Sequence, residues 1–447
     1  MHGSIAMTKI LSRTLLLLAL SLNGCSSLAA DPTVGPGELG LIEDAMRQVE
    51  QSYVVPVKPD QLVRGALKGM LGKLDPHSDY MSERDYRELI STTSGQFGGV
   101  GIEISVEEGV PQVISAIEGT PAAAAGVEPG DRIVKADGQP IVGMDIGEVV
   151  RRLRGTPGTR VVLTIARANR SAFDIPITRA IIHVDSVKAA LKPGRIGYVR
   201  ISTFDENTPA ELRLAITRLR QQAGGRLAGF VLDLRNDAGG LLDSSVEVAS
   251  DFLDSGTVVT TRGRGSDENR VYEAPPNGDL IRGTPMVVLI NGASASASEI
   301  VAGALQDNRR ATIIGTRSFG KGSVQSILPL DGHGALRLTT ALYYTPSGSS
   351  IQGHGITPDR VVTLPKEQQV ANAVITYESD LFGSLKAAGG LAPKGAPVAP
   401  ARPRPVGEEA DHPINPKIIG TAQDAQLNAA LDFLGANRST GRAAAGR

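Results

Sequence analysis

The segment MVVLINGASASASEI, residues 286–300, carries the strongest fold signal in this chain. Its first part, residues 286–290, is entirely apolar and predicts a buried strand, and residues 300–305 continue as a helix. Between them lies a run of alternating Ala and Ser with Ser296 at its centre. A serine exposed where a strand passes into a helix can attack a carbonyl carbon, and the helix N-terminus offers amides to the oxyanion. A helix cap built from small residues is the structural alternative.

A second strand-to-loop break places Lys321 between two glycines. Residues 311–315 predict a strand, and the loop at 316–322 follows it. No histidine stands in a comparable setting, so Lys321 is the candidate base for Ser296. Its pKa would have to fall by roughly 3 units for the amine to be neutral near pH 7, and burial against an apolar group such as Phe319 acts in that direction. The two residues together predict a Ser–Lys hydrolase.

The glycines around Lys321 also match most of a phosphate-binding loop. The spacing from Gly315 to Gly320 and Lys321 fits that motif, but the motif requires Ser or Thr at the next position, where this chain has Gly322. Residues 323–330 have an extended character and supply no helix N-terminus for a phosphate. The sequence therefore disfavours nucleotide binding. We expect no cofactor, and the spacing of the histidines indicates no metal site.

Strands and helices alternate from about residue 184 to 364, which predicts an α/β sheet with crossover helices. The predicted strands lie at residues 196–201, 229–234, 286–290 and 311–315, and the predicted helices at residues 209–223, 242–253 and 296–306. Loops at the carboxyl ends of such strands collect chemistry. The loop at 233–240 and the loops that hold Ser296 and Lys321 are therefore expected on one edge of the sheet.

The flanking regions have different textures. Residues 31–94 are mainly helical in pattern, and residues 95–179 alternate short β-branched runs with Gly and Pro, which predicts a small domain of five or six strands and two helices. Beyond the core at 180–377, residues 391–407 form a linker rich in Pro and Ala. A helix at 424–434 follows it, and we expect this helix to dock elsewhere, for example on another subunit.

The first 30 residues resemble an export signal. Lys9 and Arg13 precede a short apolar stretch at 15–22, and Cys25 is the only cysteine, so no internal disulfide can form. Residues 22–25 resemble a lipobox, which predicts lipid on Cys25 and a membrane-anchored protein. Cleavage after residue 29 or 30 is the alternative and discards Cys25. Both routes predict a periplasmic protein, and the formal net charge of −1 over 447 residues favours no nucleic-acid partner.

Five motifs in order resemble the carboxy-terminal processing proteases, a bacterial and chloroplast family of Ser–Lys endopeptidases. The resemblance covers roughly residues 41–365. The motifs are Leu74-Asp75-Pro76-His77-Ser78, Gly98-Gly99-Val100-Gly101-Ile102, Asp233-Leu234-Arg235-Asn236 with Gly239-Gly240, Ser294-Ala295-Ser296-Ala297-Ser298-Glu299, and Phe319-Gly320-Lys321-Gly322-Ser323-Val324-Gln325.

The resemblance implies the roles of individual residues. Ser296 would be the nucleophile, Lys321 the base and Gln325 the residue that orients the lysine. The oxyanion hole would use the amide of Ala297 and one from the glycine pair, Gly239 or Gly240. The implied fold is an α/β multidomain protein with N-terminal helices, a small β-rich PDZ domain, a protease core of the crotonase/Clp-like type and a C-terminal helical extension.

The resemblance also implies partners. The PDZ domain would capture the C-terminal tail of a protein substrate, with the tail carboxylate held by residues Gly98, Gly99, Val100, Gly101 and Ile102, and Val149 or a neighbour facing the last side chain of the tail. It would gate the Ser–Lys dyad through an arginine, for which Arg154 and Arg167 are the candidates. Adaptor proteins can trigger members of this family, and terminal helices can form homo-oligomers.

One departure from the family pattern bears on activity. The family usually has Asn-Pro before the glycine pair, where this chain has Asp237-Ala238. A carboxylate near Lys321 would raise the pKa of the lysine and oppose its use as a base. The sequence therefore leaves a second hypothesis, a PDZ-containing peptide-binding scaffold whose protease core is impaired.

Overall fold

The computed structural model describes residues 35–386 and 412–444, apart from residues 108, 169, 371, 372 and 374. The predicted export signal, Cys25 and the linker at 391–407 lie outside these residues. The chain divides into two units, residues 1–63 and residues 64–447. Helix α1 (Pro36–Ser52) belongs to the first unit and has no buried residue, and α2 (Pro59–Leu71) crosses the division. No helix in the described ranges has the length and apolar character needed to span a membrane.

A small β domain follows the N-terminal helices. The elements in chain order are β1 (Asp79–Met81), α3 (Glu83–Thr93), β2 (Gln96–Gly99), β3 (Ile102–Glu107), β4 (Val110–Ala116), α4 (Pro121–Ala124), β5 (Arg132–Ala136), β6 (Gln139–Pro140), α5 (Ile146–Leu153), β7 (Arg160–Ala166), β8 (Phe173–Thr178) and β9 (Ala180–His183). One antiparallel sheet has the order β3-β4-β5-β7-β8, with β6 beside β5, whereas β2 pairs with β9 in a separate ribbon. Buried and partly exposed residues alternate along β7, as the period of a strand requires.

The α/β core contains β1 and the elements that follow β9. The latter are β10 (Val187–Lys192), β11 (Ile196–Ile201), α6 (Thr208–Gln222), β12 (Gly229–Asp233), α7 (Leu242–Ser250), β13 (Gly256–Gly263), β14 (Arg270–Ala274), β15 (Met286–Ile290), α8 (Ala297–Asp307), β16 (Thr312–Gly315), β17 (Ser323–Pro329), β18 (Ala335–Tyr344), β19 (Arg360–Val361) and α9 (Ala425–Ala444). The main sheet has the order β10-β11-β12-β15-β16-β19 and is parallel from β11 onward. Every residue of β12 and β15 is buried because both faces of the sheet are covered.

The C-terminal helix covers one of those faces. Leu427, Ala430 and Leu434 of α9 are buried in one cluster with residues of β11, β12, β15 and β16. The expectation that this helix docks is therefore confirmed, and the surface that receives its apolar face is the sheet of its own chain, not another subunit.

A second sheet, of order β1-β18-β13-β14 with β17 beside β18, completes the core. The sequence predicts residues 31–94 as mainly helical, and that prediction is wrong at β1, which pairs with β18 from Asp79↔Arg337 to Met81↔Ala335. Three residues of strand carry no period of their own, and their conformation depends on a partner far along the chain. This pairing brings the Asp75–Ser78 segment next to β18.

Candidate active site

Ser296 lies at the predicted junction between β15 and α8. It is the N-cap of α8, has φ 55° and ψ −111°, and is 6% exposed. A positive φ is uncommon for a residue other than glycine and is maintained only by the surrounding structure. The neighbouring Ala295 amide donates to the Asp237 carbonyl at 2.9 Å, and the Ser298 hydroxyl donates to the same carbonyl at 3.1 Å. The loop after β12 therefore holds the chain on both sides of Ser296.

Glu299 joins the serine turn to the lysine loop. Its Oε2 accepts from the Ser296 amide at 2.8 Å and from the Lys321 amide at 2.9 Å, while its Oε1 accepts from the Gly320 amide at 2.7 Å and from the Ser318 hydroxyl at 2.5 Å. Glu299 has no exposed surface. Burial raises its pKa to about 7, and the four hydrogen bonds act in the opposite direction.

This role of Glu299 was not predicted from the sequence, where the residue stands only at the end of a motif. A signal was present, because a glutamate three residues after a helix N-cap commonly accepts from the N-cap amide, as it does here. The additional bonds to the lysine loop depend on tertiary structure, and helical spacing does not reveal them.

Lys321 has the electrostatic setting that a basic lysine requires. Burial lowers the pKa of its amine below the usual value, and the positive charge of Arg337 lowers it further. The carboxylates of Glu378, Glu299 and Asp75 act in the opposite direction. The prediction that the pKa falls is therefore confirmed in direction. Asp237, which the sequence analysis expected to oppose this shift, is not among these groups.

The side chains of the predicted triad are not hydrogen-bonded to each other in the described structure. The Ser296 hydroxyl interacts with the Tyr343 phenol, whose pKa is raised by burial and lowered in part by that contact. The Gln325 amide donates to Ser323 at 2.9 Å and to Thr339 at 3.2 Å. Among the described residues the Lys321 amine has no hydrogen-bond partner, so the roles of Ser296, Lys321 and Gln325 stay predictions.

The glycine pair packs tightly beside the serine turn. A Cβ on Gly239 would lie 2.9 Å from the Ala297 nitrogen, and a Cβ on Gly240 would lie 2.0 Å from the Phe204 carbonyl oxygen, so only glycine fits. The Gly239 amide already donates to Asp237 Oδ1 at 2.8 Å. The amides of Gly240 and Ala297 donate to no described residue. Of the predicted oxyanion donors, the Gly240 and Ala297 amides are therefore available to bind an oxyanion.

Buried charges brace the loop from behind. Arg235 donates to Asp233 and to Asp424 at 2.6 Å each, and none of the three side chains has exposed surface. The Asn236 side chain donates to the Ile414 carbonyl at 2.7 Å. Asp233 and Arg235 therefore brace the loop, and the Arg235 side chain is fully buried.

The predicted carboxylate-binding residues divide into two groups. Gly98 and Gly99 lie in β2 and pair with β9, whereas Val100, Gly101 and Ile102 lead into β3. Because β3 is the edge strand of its sheet, the second group has the position expected of a peptide-binding loop.

Other predicted residues of the β domain are engaged elsewhere. Val149 is fully buried in the core of the domain, while its neighbour Val150 is partly exposed, so the expectation that Val149 or a neighbour faces a ligand stays a prediction. Arg154 donates to Glu88 at 2.9 Å, and Arg167 donates to Asp131 at 2.6 Å. Neither arginine contacts Gln325 in the structure.

Comparisons with known proteins agree with this architecture. The sequence model of peptidase family S41 matches residues 195–362, that of the PDZ domain matches residues 112–167, and that of the N-terminal domain of the activating protease CtpB matches residues 22–85. The β domain is therefore a PDZ domain. The solved structure of a photosystem II D1 C-terminal processing protease aligns with a TM-score of 0.44 and 32% identity, over 74% of this chain and 94% of that one.

Two curated relatives decide the family. The chain is 49% identical over 352 residues to a carboxy-terminal-processing protease of Bartonella bacilliformis, which covers 78% of this chain and 81% of the relative. It is 33% identical over 372 residues to the carboxy-terminal processing protease CtpA of Bacillus subtilis, covering 82% and 79%. The resemblance inferred from the five motifs is confirmed. The chain belongs to the carboxy-terminal-processing proteases of peptidase family S41 and is a serine-type hydrolase.

Proposed function

We propose that this protein is an exported endopeptidase that hydrolyses protein substrates near their C-termini with Ser296 as nucleophile and Lys321 as base. One observation carries the proposal: a single oxygen of Glu299 accepts the backbone amides of both residues. The serine turn and the lysine loop are thereby fixed as neighbours, and the lysine has the lowered pKa that a base needs.

The proposed reaction begins when the hydroxyl of Ser296 leaves Tyr343 and turns to the neutral amine of Lys321. The amine takes the hydroxyl proton as the serine oxygen attacks the scissile carbonyl carbon, and the amides of Ala297 and Gly240 donate to the oxyanion. The lysine then gives its proton to the leaving amine, and an acyl-enzyme forms. Water, activated by the same lysine, releases the acyl group. Gln325 would hold the amine in place during these transfers.

The test compares cleavage of denatured casein by the wild type, Ser296→Ala and Lys321→Ala. We expect both variants to lose at least about 10³-fold in kcat/KM, since each removes a group that acts in the transition state. The exposed Ser347 provides a matched control, and Ser347→Ala should retain full activity. Equal inactivity of the wild type and Ser296→Ala, with candidate adaptors added and tail peptides still bound, would instead support the scaffold hypothesis.

The PDZ domain is proposed to capture the substrate tail. The free edge of β3 can pair with an added peptide strand, and the amides near Val100 and Gly101 can bind the terminal carboxylate. Isothermal titration with a tail peptide as free acid and as C-terminal amide tests this. The amide should bind at least tenfold more weakly, and equal binding would contradict capture of the carboxylate.

Proposed gating by the PDZ domain has a connected set of contacts in its support. Arg154, at the end of α5, pairs with Glu88 on α3 and lies 4.4 Å from the ring centre of Phe97. The end of α3 in turn binds the loop after β11, where the Thr93 carbonyl accepts from the Glu206 amide at 3.0 Å and the Ser94 carbonyl accepts from Asn207 at 2.9 Å.

The same loop reaches the glycine pair. Phe204 is hydrogen-bonded through its backbone to the segment that contains the glycine pair. Its amide donates to the Gly239 carbonyl at 3.0 Å, and its carbonyl accepts from the Leu241 amide at 2.8 Å. A shift of the PDZ domain can therefore act on the oxyanion loop through α3 and Phe204. This route does not need an arginine that touches Gln325.

Export and lipidation complete the proposal, and residues 15–25 of the sequence support them. Mass spectrometry of the mature N-terminus distinguishes a lipidated Cys25 from a chain that begins after residue 29 or 30. Cys25→Ala should release a lipidated protein from the membrane fraction. Adaptor proteins and homo-oligomers are proposed by analogy with the family, and size-exclusion chromatography of the full chain tests the oligomer.

A further inference from the structure

Asp237 is a buried acid at the oxyanion loop that the proposed reaction does not use. Its side chain has no exposed surface. Oδ1 accepts from the Gly239 amide at 2.8 Å, whereas Oδ2 has no hydrogen-bond partner in the described part of the chain. Asparagine, the usual residue of the family pattern at this position, would carry no charge.

The surroundings of Asp237 offer its charge little compensation. The Gly239 amide faces it from its own loop, and the Ser298 hydroxyl faces it from α8. The guanidinium of Arg200 on β11 also acts on it, and Nε of that guanidinium has no hydrogen-bond partner among the described residues. Burial therefore dominates and raises the pKa of Asp237 to about 7, with those three groups acting in the opposite direction.

The backbone of Asp237 connects it directly to the nucleophile. Its carbonyl accepts from Ala295 and from Ser298, the residues on either side of the serine turn. Gly239, which its side chain holds, would place a Cβ within 2.9 Å of the Ala297 nitrogen and of the Ser296 Cβ. A change of charge on Asp237 therefore alters the electrostatics and the backbone contacts at the place where the oxyanion has to form.

We propose that Asp237 is a positioning residue that closes the oxyanion loop when it is ionised and permits catalysis when it is neutral. Two effects act in the same direction. An ionised carboxylate is a stronger acceptor than a neutral acid, so it holds the Gly239 amide more tightly and restricts the loop that carries the neighbouring Gly240 amide. Its negative charge, which is buried, also opposes the negative charge that develops on the oxyanion. The inference rests on the proposed function.

The first test is the pH dependence of kcat for the wild type and Asp237→Asn, measured with an internally quenched peptide. The wild type should lose activity on the alkaline side, by about tenfold for each pH unit beyond the midpoint. Asparagine has the same shape and stays neutral, so Asp237→Asn should keep its activity there while KM changes little. Thermal melting of both proteins shows whether the variant is folded.

Two matched variants assign the alkaline limb to one group. Asp251 is a second buried acid, and burial raises its pKa to about 6. It pairs with Arg213 on the helical side of the core. Asp251→Asn should therefore keep the alkaline limb of the wild type. Glu299 titrates in the same range as Asp237, so Glu299→Gln is compared as well. A limb that survives in Asp237→Asn, or that only Glu299→Gln removes, overturns the proposal.

A second measurement does not depend on catalysis. Infrared difference spectra between Ser296→Ala and the double variant Ser296→Ala/Asp237→Asn isolate the carboxyl band of Asp237. The band of the neutral acid should be present at about pH 5 and absent at about pH 9. A carboxylate at both values, or a neutral acid at both, overturns the inference even if the enzyme has no measurable turnover. If the wild type is inactive but the Asp237 band titrates, the result contradicts the proposed function and leaves the titration of Asp237 standing.

Discussion

The backbone amides of Ser296 and Lys321 donate to the same oxygen atom of Glu299. The nucleophile turn begins α8, and the lysine lies in the loop between β16 and β17, so the two segments have no local reason to be close. A buried carboxylate that receives four donors fixes the separation of their backbones. What remains adjustable is the rotation of the two side chains.

The first prediction concerns Glu299→Gln. The amide can accept at only one of its two ends, so some of the four donors lose their acceptor. We expect kcat/KM to fall by about 10- to 100-fold, since small misplacement of catalytic groups has effects of that size. The free energy of unfolding should fall by about 1–3 kcal/mol. Glu247→Gln, at a largely exposed carboxylate on α7, should change neither quantity.

The second prediction concerns Arg337→Gln. Arg337 lowers the pKa of Lys321, after the larger effect of burial. Without this positive charge the pKa rises, so a higher pH is needed to deprotonate the amine, and the acid limb of kcat should move to higher pH. The pH–rate profile measures this shift. Arg264→Gln, at an exposed arginine, is the control and should leave the limb in place. A shift toward lower pH would contradict the electrostatic assignment.

The third prediction concerns stability and Asp237. Because burial raises its pKa from 3.8 to about 7, the native state holds a proton that the unfolded chain releases between these values. Stability is therefore greatest below about pH 4 for this group and is lost as the pH rises to about 7, in total by roughly 4 kcal/mol. Asp237→Asn should lack this decline. Urea unfolding of both proteins across that pH range measures the difference, and parallel curves would contradict it.

The fourth prediction concerns the link between the C-terminal segment and the oxyanion loop. Asp424 and Arg235 are fully buried partners. Removing Asp424 leaves Arg235 paired with Asp233, but two buried N–H groups of the guanidinium lose their acceptor, so Asp424→Ala should lower the free energy of unfolding by about 1–3 kcal/mol. Asp432→Asn, at an exposed position of α9, should change it by less than about 0.5 kcal/mol. Equal effects of the two would show that α9 is not held by this pair.

The fifth prediction concerns the contact of the PDZ domain with α3. Glu88→Gln and Arg154→Gln each break a pair whose side chains are 40% and 30% exposed, so stability should change by less than about 1 kcal/mol. Activation of casein cleavage by a tail peptide should nevertheless change at least about threefold in each variant, and the double variant should show no further change. Additive effects would argue against coupling through this pair.

The local sequence pattern was sufficient to predict the main helices and strands of the core. The apolar run of β15 and the small residues after it locate Ser296, and strand–helix alternation predicts the parallel sheet. Such signals depend on residues that are neighbours in sequence. They also place Lys321 and the glycine pair on loops at one edge, because parallel strands bring their carboxyl ends together.

Contacts between segments that are distant along the chain decided the features that the local sequence pattern could not predict. β1 exists because β18 lies beside it, and α9 is stable because its apolar side packs on the sheet of its own chain. The burial of Asp237 and the four donors around Glu299 come from segments that meet only after folding. The sequence by itself determined which residues can do the chemistry, since residue type and local spacing are written in it. Only the tertiary structure decided their charge and alignment, because desolvation and hydrogen bonding depend on neighbours that are distant along the chain.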